Sequence, residues 1–319
     1  MNDQRKVTRR NTLLAATATA LAAAAVTFGP TQAQQPTSGA AEDERTGSSA
    51  AQVTEGIVKL VDSEIEYFSQ GQGEAVVLLP AGSLTVDYLE GLAQVLADAG
   101  YRAVRVNPRG AGKSTGSGAN ITLHTLAADV AGVIQDLKLG QVHVAGHAFG
   151  NRVARMLAAD HPEQVRSVIL LAAGGKVEPK AGVQRTGNTI FDPASSEPQI
   201  LEAMKYFLGD PGNPAEDPAK AWQVIKPSQS LKTGAIQSAA RQVTRLDAWW
   251  APGGQQKYLV LQGSDDQAAP PENGELLKQQ LGERVMIVFI PGAGHLMVIT
   301  QPKKVVSAVV SFLRKELPQ

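Results

Sequence analysis

The sequence predicts an α/β domain built on a mostly parallel, doubly wound sheet, and three observations carry that expectation. Short apolar runs recur along the chain, separated by segments with helical apolar spacing, which is the rhythm of strand–helix–strand units with right-handed crossovers. Several runs are apolar at every position rather than alternately, as in strands covered on both faces. Of the 319 residues, 43% are apolar and 19% charged, enough for a packed core.

Taken in order, order is expected to begin near Val53, with a strand pair at 57–61 and 65–68 and a turn at Gly71-Gln72-Gly73 into a buried strand at 75–79. A helix at 88–99 stops at Gly100 and a strand at 101–106 follows, ending at Asn107-Pro108-Arg109-Gly110. The helix at 123–139 closes at Gly140, then come the strand 142–145, the helix 151–160 stopped by His161-Pro162, and the strand 168–171. The rhythm breaks over 176–256, where helices are expected at 197–208, 219–225 and 231–250 between Pro/Gly-rich joints. It resumes with strand 258–261, helix 274–281, strand 285–290 and a final helix at 303–317. The middle stretch therefore reads as a helical cap inserted into one domain spanning 53–319.

The first 33 residues are of another kind: Arg5, Lys6, Arg9 and Arg10 precede an alanine-rich run, and Thr31-Gln32-Ala33 offers small residues for cleavage. Arg9-Arg10 resembles a twin-arginine export signal, with Thr12 where that pattern has a large apolar residue. An uncleaved anchor is the competing reading, but the run is short and threonine-diluted for a span of about 20 residues. A periplasmic or secreted protein is expected, with residues 34–52, rich in Gln, Pro, Thr, Ser and Gly, as a flexible tether. Removing 1–33 leaves 26 basic against 29 acidic residues, so no positive field favours nucleic acid or anionic lipid. There is no cysteine, which excludes disulfides, thiolate nucleophiles and zinc–thiolate sites. His124, His143 and His161 show no ligand spacing, so neither metal nor other cofactor is expected. The oligomeric state is not legible.

Five motifs carry the chemistry: VVLLPAG, NPRGAGKS, VAGHAFG, LVLQGSDDQAAP and PGAGHL. Their order and spacing resemble the α/β-hydrolase superfamily over about residues 53–317. The resemblance implies that fold, with a nucleophile elbow at Gly146-His147-Ala148-Phe149-Gly150, a catalytic histidine at His295 and its acid at Asp266, for which Asp265 is a neighbouring substitute. It also implies an oxyanion hole from the backbone N–H of Phe149 and of Ala81 or Gly82, although the usual His-Gly of that loop is Pro80-Ala81 here. Gly112-Lys113-Ser114 matches the end of a phosphate loop, but Asn107 stands where that loop requires its first glycine. Arg109 then reads as a structural ion-pair partner.

Ala148 is the departure, because it occupies the position of the nucleophilic serine. Deleting that hydroxyl from a serine protease costs roughly 10⁶ in turnover, so ordinary acyl-enzyme chemistry is not expected. Three readings remain: a serine esterase inactivated by an engineered serine-to-alanine replacement, an enzyme in which His295 and Asp266 act as an acid–base dyad without a covalent step, and a ligand-binding protein that has lost the chemistry. The second is preferred because both halves of the proton relay are present. Its substrate would be a small, mostly apolar carbonyl or ester compound. Ser83, Trp222, Trp249 and Trp250 are the candidate pocket residues, all the tryptophans falling within the cap; with Phe191, Tyr206 and Phe207 the tryptophans form either an apolar substrate roof or the cap's own core.

Overall fold

The computed structural model describes residues 52–315. The expected export segment and all of the tether but Gln52 lie outside these residues. Among them, no helix is long and apolar enough to cross a membrane.

Among the described residues nine strands form one sheet: β1 (Thr54–Lys59), β2 (Ser63–Gln70), β3 (Ala75–Leu79), β4 (Arg102–Val106), β5 (Thr115–Gly116), β6 (Val142–His147), β7 (Val165–Leu171), β8 (Lys257–Gly263) and β9 (Val285–Ile290). Their order is β1-β2-β4-β3-β6-β7-β8-β9, with β5 pairing β2. The six strands from β4 across to β9 are parallel, and β1, β2 and β5 add an antiparallel flank. The helices are α1 (Glu90–Asp98), α2 (Leu123–Asp136), α3 (Gly150–Asp160), α4 (Ala181–Thr186), α5 (Glu197–Met204), α6 (Pro218–Ile225), α7 (Leu231–Val243), α8 (Leu246–Trp249), α9 (Glu272–Leu281), α10 (Met297–Thr300) and α11 (Pro302–Lys315).

The continuous apolar strands are explained by two cores. In β3, Ala75, Val77 and Leu79 join the core under α2, α3 and α9, whereas Val76 and Leu78 join the one under α1 and α11. Alternate side chains of one strand fill opposite layers, so neither face tolerates a polar position. β9 is the exception, with Phe289 exposed, because it closes the sheet as an edge strand. Helix α2 starts where Thr122 and Thr125 cap each other, the Thr125 N–H donating to Thr122 Oγ1 at 3.2 Å and the Thr122 N–H to Thr125 Oγ1 at 3.3 Å.

Several boundaries differ from expectation for local reasons. The first strand begins at Thr54 and ends before Val61, which stands in the solvent in a turn closed by Leu60 N–H to Ser63 O at 2.8 Å. The two-residue β5 carries no apolar signal and forms only by pairing with β2. The helix expected at 197–208 stops at Met204, because 207–210 packs instead on the loop before His295. That expected at 231–250 breaks between α7 and α8, where Thr244 is extended and its hydroxyl accepts the Leu123 N–H at 2.9 Å. The arginine of NPRGAGKS is an ion-pair partner as expected: Arg109 grips Asp129 of α2, Nε to Oδ2 at 2.6 Å, and Asp62 of the β1–β2 turn, Nη2 to Oδ1 at 2.8 Å.

The strand order fixes where a site can form. The chain steps from β3 outward to β4 and then returns across β3 to β6, so the loops after β3 and β6 leave in opposite directions and open a crevice at their carboxyl ends.

Candidate active site

The elbow stands in that crevice. Ala148 follows the central strand β6 with φ +48°, a left-handed conformation that holds its side chain at the apex of the turn. The flanking glycines are steric necessities. A Cβ on Gly146 would lie 2.3 Å from the Gly150 carbonyl carbon, and one on Gly150 would lie 2.5 Å from Leu79 O. The Ala148 N–H donates to Leu171 O at 2.9 Å, pinning the bend to β7. The strained geometry is complete and carries a methyl group.

The loops after β8 and β9 bring His295 and Asp266 together. His295 Nδ1 lies 2.9 Å from Asp266 Oδ2 and 3.1 Å from Oδ1. Asp266 is 2% exposed, and its Oδ1 accepts the N–H groups of Ala268 at 2.9 Å and Ala269 at 2.7 Å. A carboxylate fixed in this way accepts the Nδ1 proton and leaves Nε2 with its lone pair. Nε2 has no partner among the described residues, and the His295 side chain retains 13% exposure. Asp265 points away: it is exposed and accepts only the Ser264 hydroxyl.

Of the candidate oxyanion donors, Ala81 is removed by the structure, because its N–H is already given to Tyr88 Oη at 2.8 Å. The Ser83 N–H is likewise given to Gln237 Oε1 at 2.9 Å. Gly82 and Phe149 remain, their N–H groups having no partner among the described residues. They are neighbours: a Cβ on Gly82 would meet Phe149 Cβ at 3.5 Å. Two unengaged N–H groups beside one another form a pair suited to a developing oxyanion. Ser83, proposed as a pocket residue, is instead a turn residue with φ +61° whose hydroxyl packs on Gly234 of α7.

The cap holds both loops. On one side, Ser230 N–H donates to Ser83 O at 2.8 Å and Thr85 N–H to Ser228 O at 2.7 Å. On the other, Leu296 N–H reaches Phe207 O at 3.3 Å and Asp210 N–H reaches Gly292 O at 3.2 Å. The tryptophans divide between two places. Trp222 is buried in the apolar cluster of Leu84, Met204, Leu208 and Leu296 that packs against Ala148, and its indole N–H has no partner among the described residues. Trp249 and Trp250 do not form a roof; they belong to the core under α3. Arg155 is fully buried, has no carboxylate partner among the described residues and lies over both rings, 4.5 Å and 4.9 Å from their centroids, so the indole faces supply the negative potential it lacks.

His147 and Tyr88 lie beneath the site. His147 Nε2 is 3.0 Å from His295 O and its Nδ1 2.8 Å from Tyr88 Oη. Burial first, and His295 second, depress the His147 pKa to about 3. His143, also fully buried, is shifted down by burial as well. A histidine neutral in the folded chain and titrating near 6.5 when unfolded costs no stability above pH 6.5 and progressively more as the pH falls toward 3. For His147 alone this amounts to about 2 kcal/mol between pH 7 and pH 5. Urea unfolding should show that loss in the wild type and a shallower one in His147→Phe; equal slopes would mean that His147 is not the titrating group.

Tyr88 and Gln237 were not marked by any motif. A family model described as the alpha/beta hydrolase fold matches residues 74–302. The chain belongs to the α/β-hydrolase fold family. Among curated relatives, this hydrolase-fold chain is 25% identical over 272 residues to the 2-hydroxy-6-oxo-6-phenylhexa-2,4-dienoate hydrolase of Comamonas testosteroni, covering 80% of this chain and 93% of that one. It is 26% identical over 275 residues to a non-heme chloroperoxidase of Kitasatospora aureofaciens, covering 79% and 96%. Among solved structures, a thermophilic esterase from Thermogutta terrifontis superposes with a TM-score of 0.66 at 24% identity over 83% of this hydrolase-fold chain and 99% of its own. That likeness speaks for the fold alone.

Proposed function

We propose that the protein is an exported enzyme acting on a small, mostly apolar carbonyl or ester compound through a His295–Asp266 dyad, with no covalent acyl intermediate. The observation that carries this reading is the 2.9 Å contact from His295 Nδ1 to a buried, doubly anchored Asp266, which leaves Nε2 available as a base. In the hydrolytic case, a water beside the Ala148 methyl gives one proton to His295 Nε2 as its oxygen bonds to the carbonyl carbon. The resulting oxyanion is held by the N–H groups of Gly82 and Phe149. The carbon–leaving group bond then breaks as the imidazolium returns the proton to the leaving oxygen. Asp266 keeps the imidazole in one tautomer and stabilises its charged form.

The methyl at Ala148 favours a second reading, a pocket that binds such compounds without turnover. A panel of p-nitrophenyl esters separates the two. Slow turnover that disappears in His295→Ala, with no labelling by a fluorophosphonate probe, is the expected result. Turnover untouched by His295→Ala, or none at all beside measurable ester binding that survives His295→Ala and Asp266→Ala, would overturn the dyad.

A further inference from the structure

His147 is a buried titratable group for which the proposed chemistry has no use, and its bonds reach both halves of the site. His295 O can only accept, so the 3.0 Å contact places a proton on His147 Nε2. Nδ1 is then an acceptor, and Tyr88 must donate its hydroxyl proton across 2.8 Å. The Tyr88 oxygen in turn accepts the Ala81 N–H at 2.8 Å. A single arrangement of protons satisfies all three bonds, and it runs without a break from the loop bearing Gly82, through the residue before the elbow apex, to the backbone of His295. The path is separate from the Asp266 contact, which acts on the other face of residue 295 through its ring. The two histidine rings lie 5.7 Å apart, and Tyr88 is 5.7 Å from His147, so the chain is packed as well as bonded. Its ends are 214 positions apart in sequence, at Ala81 and His295, and no strand pairing links those loops.

We propose that His147 is a positioning residue which, with Tyr88, fixes the oxyanion loop relative to the backbone of His295, so that the N–H donors and the base keep one separation. This deepens the dyad reading and rests on it. A charged His147 would turn Nδ1 into a donor facing the Tyr88 hydroxyl and break the sequence of bonds, and burial keeps the ring neutral across the working range.

The test uses the Ala148→Ser protein and p-nitrophenyl butyrate. His147→Phe fills the same space without the bonds, Tyr88→Phe removes the other donor, and His147→Gln restores a donor toward His295 O. The expected result is a fall in kcat of about 10²-fold in either Phe variant, as for a misplacement near 1 Å, with KM nearly unchanged. The double variant should fall no further than either single one, and His147→Gln should recover part of the loss. A second readout needs no turnover: the Nδ1 proton resonance of His295, held by Asp266, should shift and exchange faster with water in both Phe variants of the wild-type protein. Unchanged kcat, or additive losses, or an unmoved resonance in a folded variant overturns the positioning role. Should Ala148→Ser hydrolyse nothing, the dyad reading fails while the resonance still decides whether His147 holds His295. If His147→Phe does not fold, Tyr88→Phe and His147→Gln carry both readouts.

Discussion

Replacing Ala148 by serine is expected to raise turnover of p-nitrophenyl esters by at least about 10³-fold, because removing this nucleophile from a complete site costs roughly 10⁶ and leaves 10³ to 10⁴ of residual catalysis. The parts that such a hydroxyl would use are present. Ala148 keeps φ +48°, its flanking glycines allow β6 and α3 to approach, and the residue is half-buried, so one added oxygen meets no closed wall. Gly82 and Phe149 hold unengaged N–H groups, and His295 Nε2 has no competing partner among the described residues. The variant should be labelled by a fluorophosphonate probe that leaves the wild type unmarked. Adding Asp266→Asn should lower kcat of that variant by up to about 10⁴-fold, cancelling the gain, since an asparagine stabilises the wrong tautomer. A folded serine variant that neither turns over nor labels would show that donors, base and apex are out of alignment.

Arg109→Met is expected to destabilise the fold by about 3–5 kcal/mol, measured as a lower urea midpoint at unchanged slope. Arg109 is 2% exposed and clamps Asp129 through two bonds, Nε to Oδ2 at 2.6 Å and Nη2 to Oδ1 at 2.9 Å. Asp129 is itself 5% exposed and otherwise accepts only the Ser63 hydroxyl, at 2.8 Å. Taking away the guanidinium strands a buried carboxylate, which is the costly case. Asp62 contributes little, being more than half exposed. The double variant Arg109→Met/Asp129→Leu should recover most of the loss, because it removes both charges together. Equal instability in single and double variants would mean that packing of the Arg109 stem dominates instead.

Parts of the molecule were legible because their causes are local. The apolar runs at 75–79, 142–145 and 258–261 mark strands because two cores demand apolar side chains on both faces. The elbow was legible because Gly146 is forced by atoms of the same turn, whereas the need for Gly150 is set by Leu79 O at the end of β3. Helix α7 ends early because Thr244 bonds Leu123, 121 positions away, which no window of sequence around it reveals. Trp249 and Trp250, candidates for a roof by their place in the cap, are core residues because they pack under α3 around the buried Arg155 guanidinium, a contact that no local pattern reveals.

The sequence by itself determined the alternation of strands and helices, the bend with an alanine at its apex, and the chain order of bend, acid and histidine. Periodicity and turn sterics depend on neighbours in the chain, and those are written in the sequence. Tertiary structure alone decided between Asp265 and Asp266, withdrew Ala81 from the oxyanion pair, brought Tyr88 and Gln237 to the site, and gave His147 of the elbow its partners. Those outcomes turn on which donors and acceptors are already engaged: Tyr88, only seven residues from Ala81, is held there by His147, and Gln237 and His295 meet Ser83 and Asp266 only once the sheet has assembled.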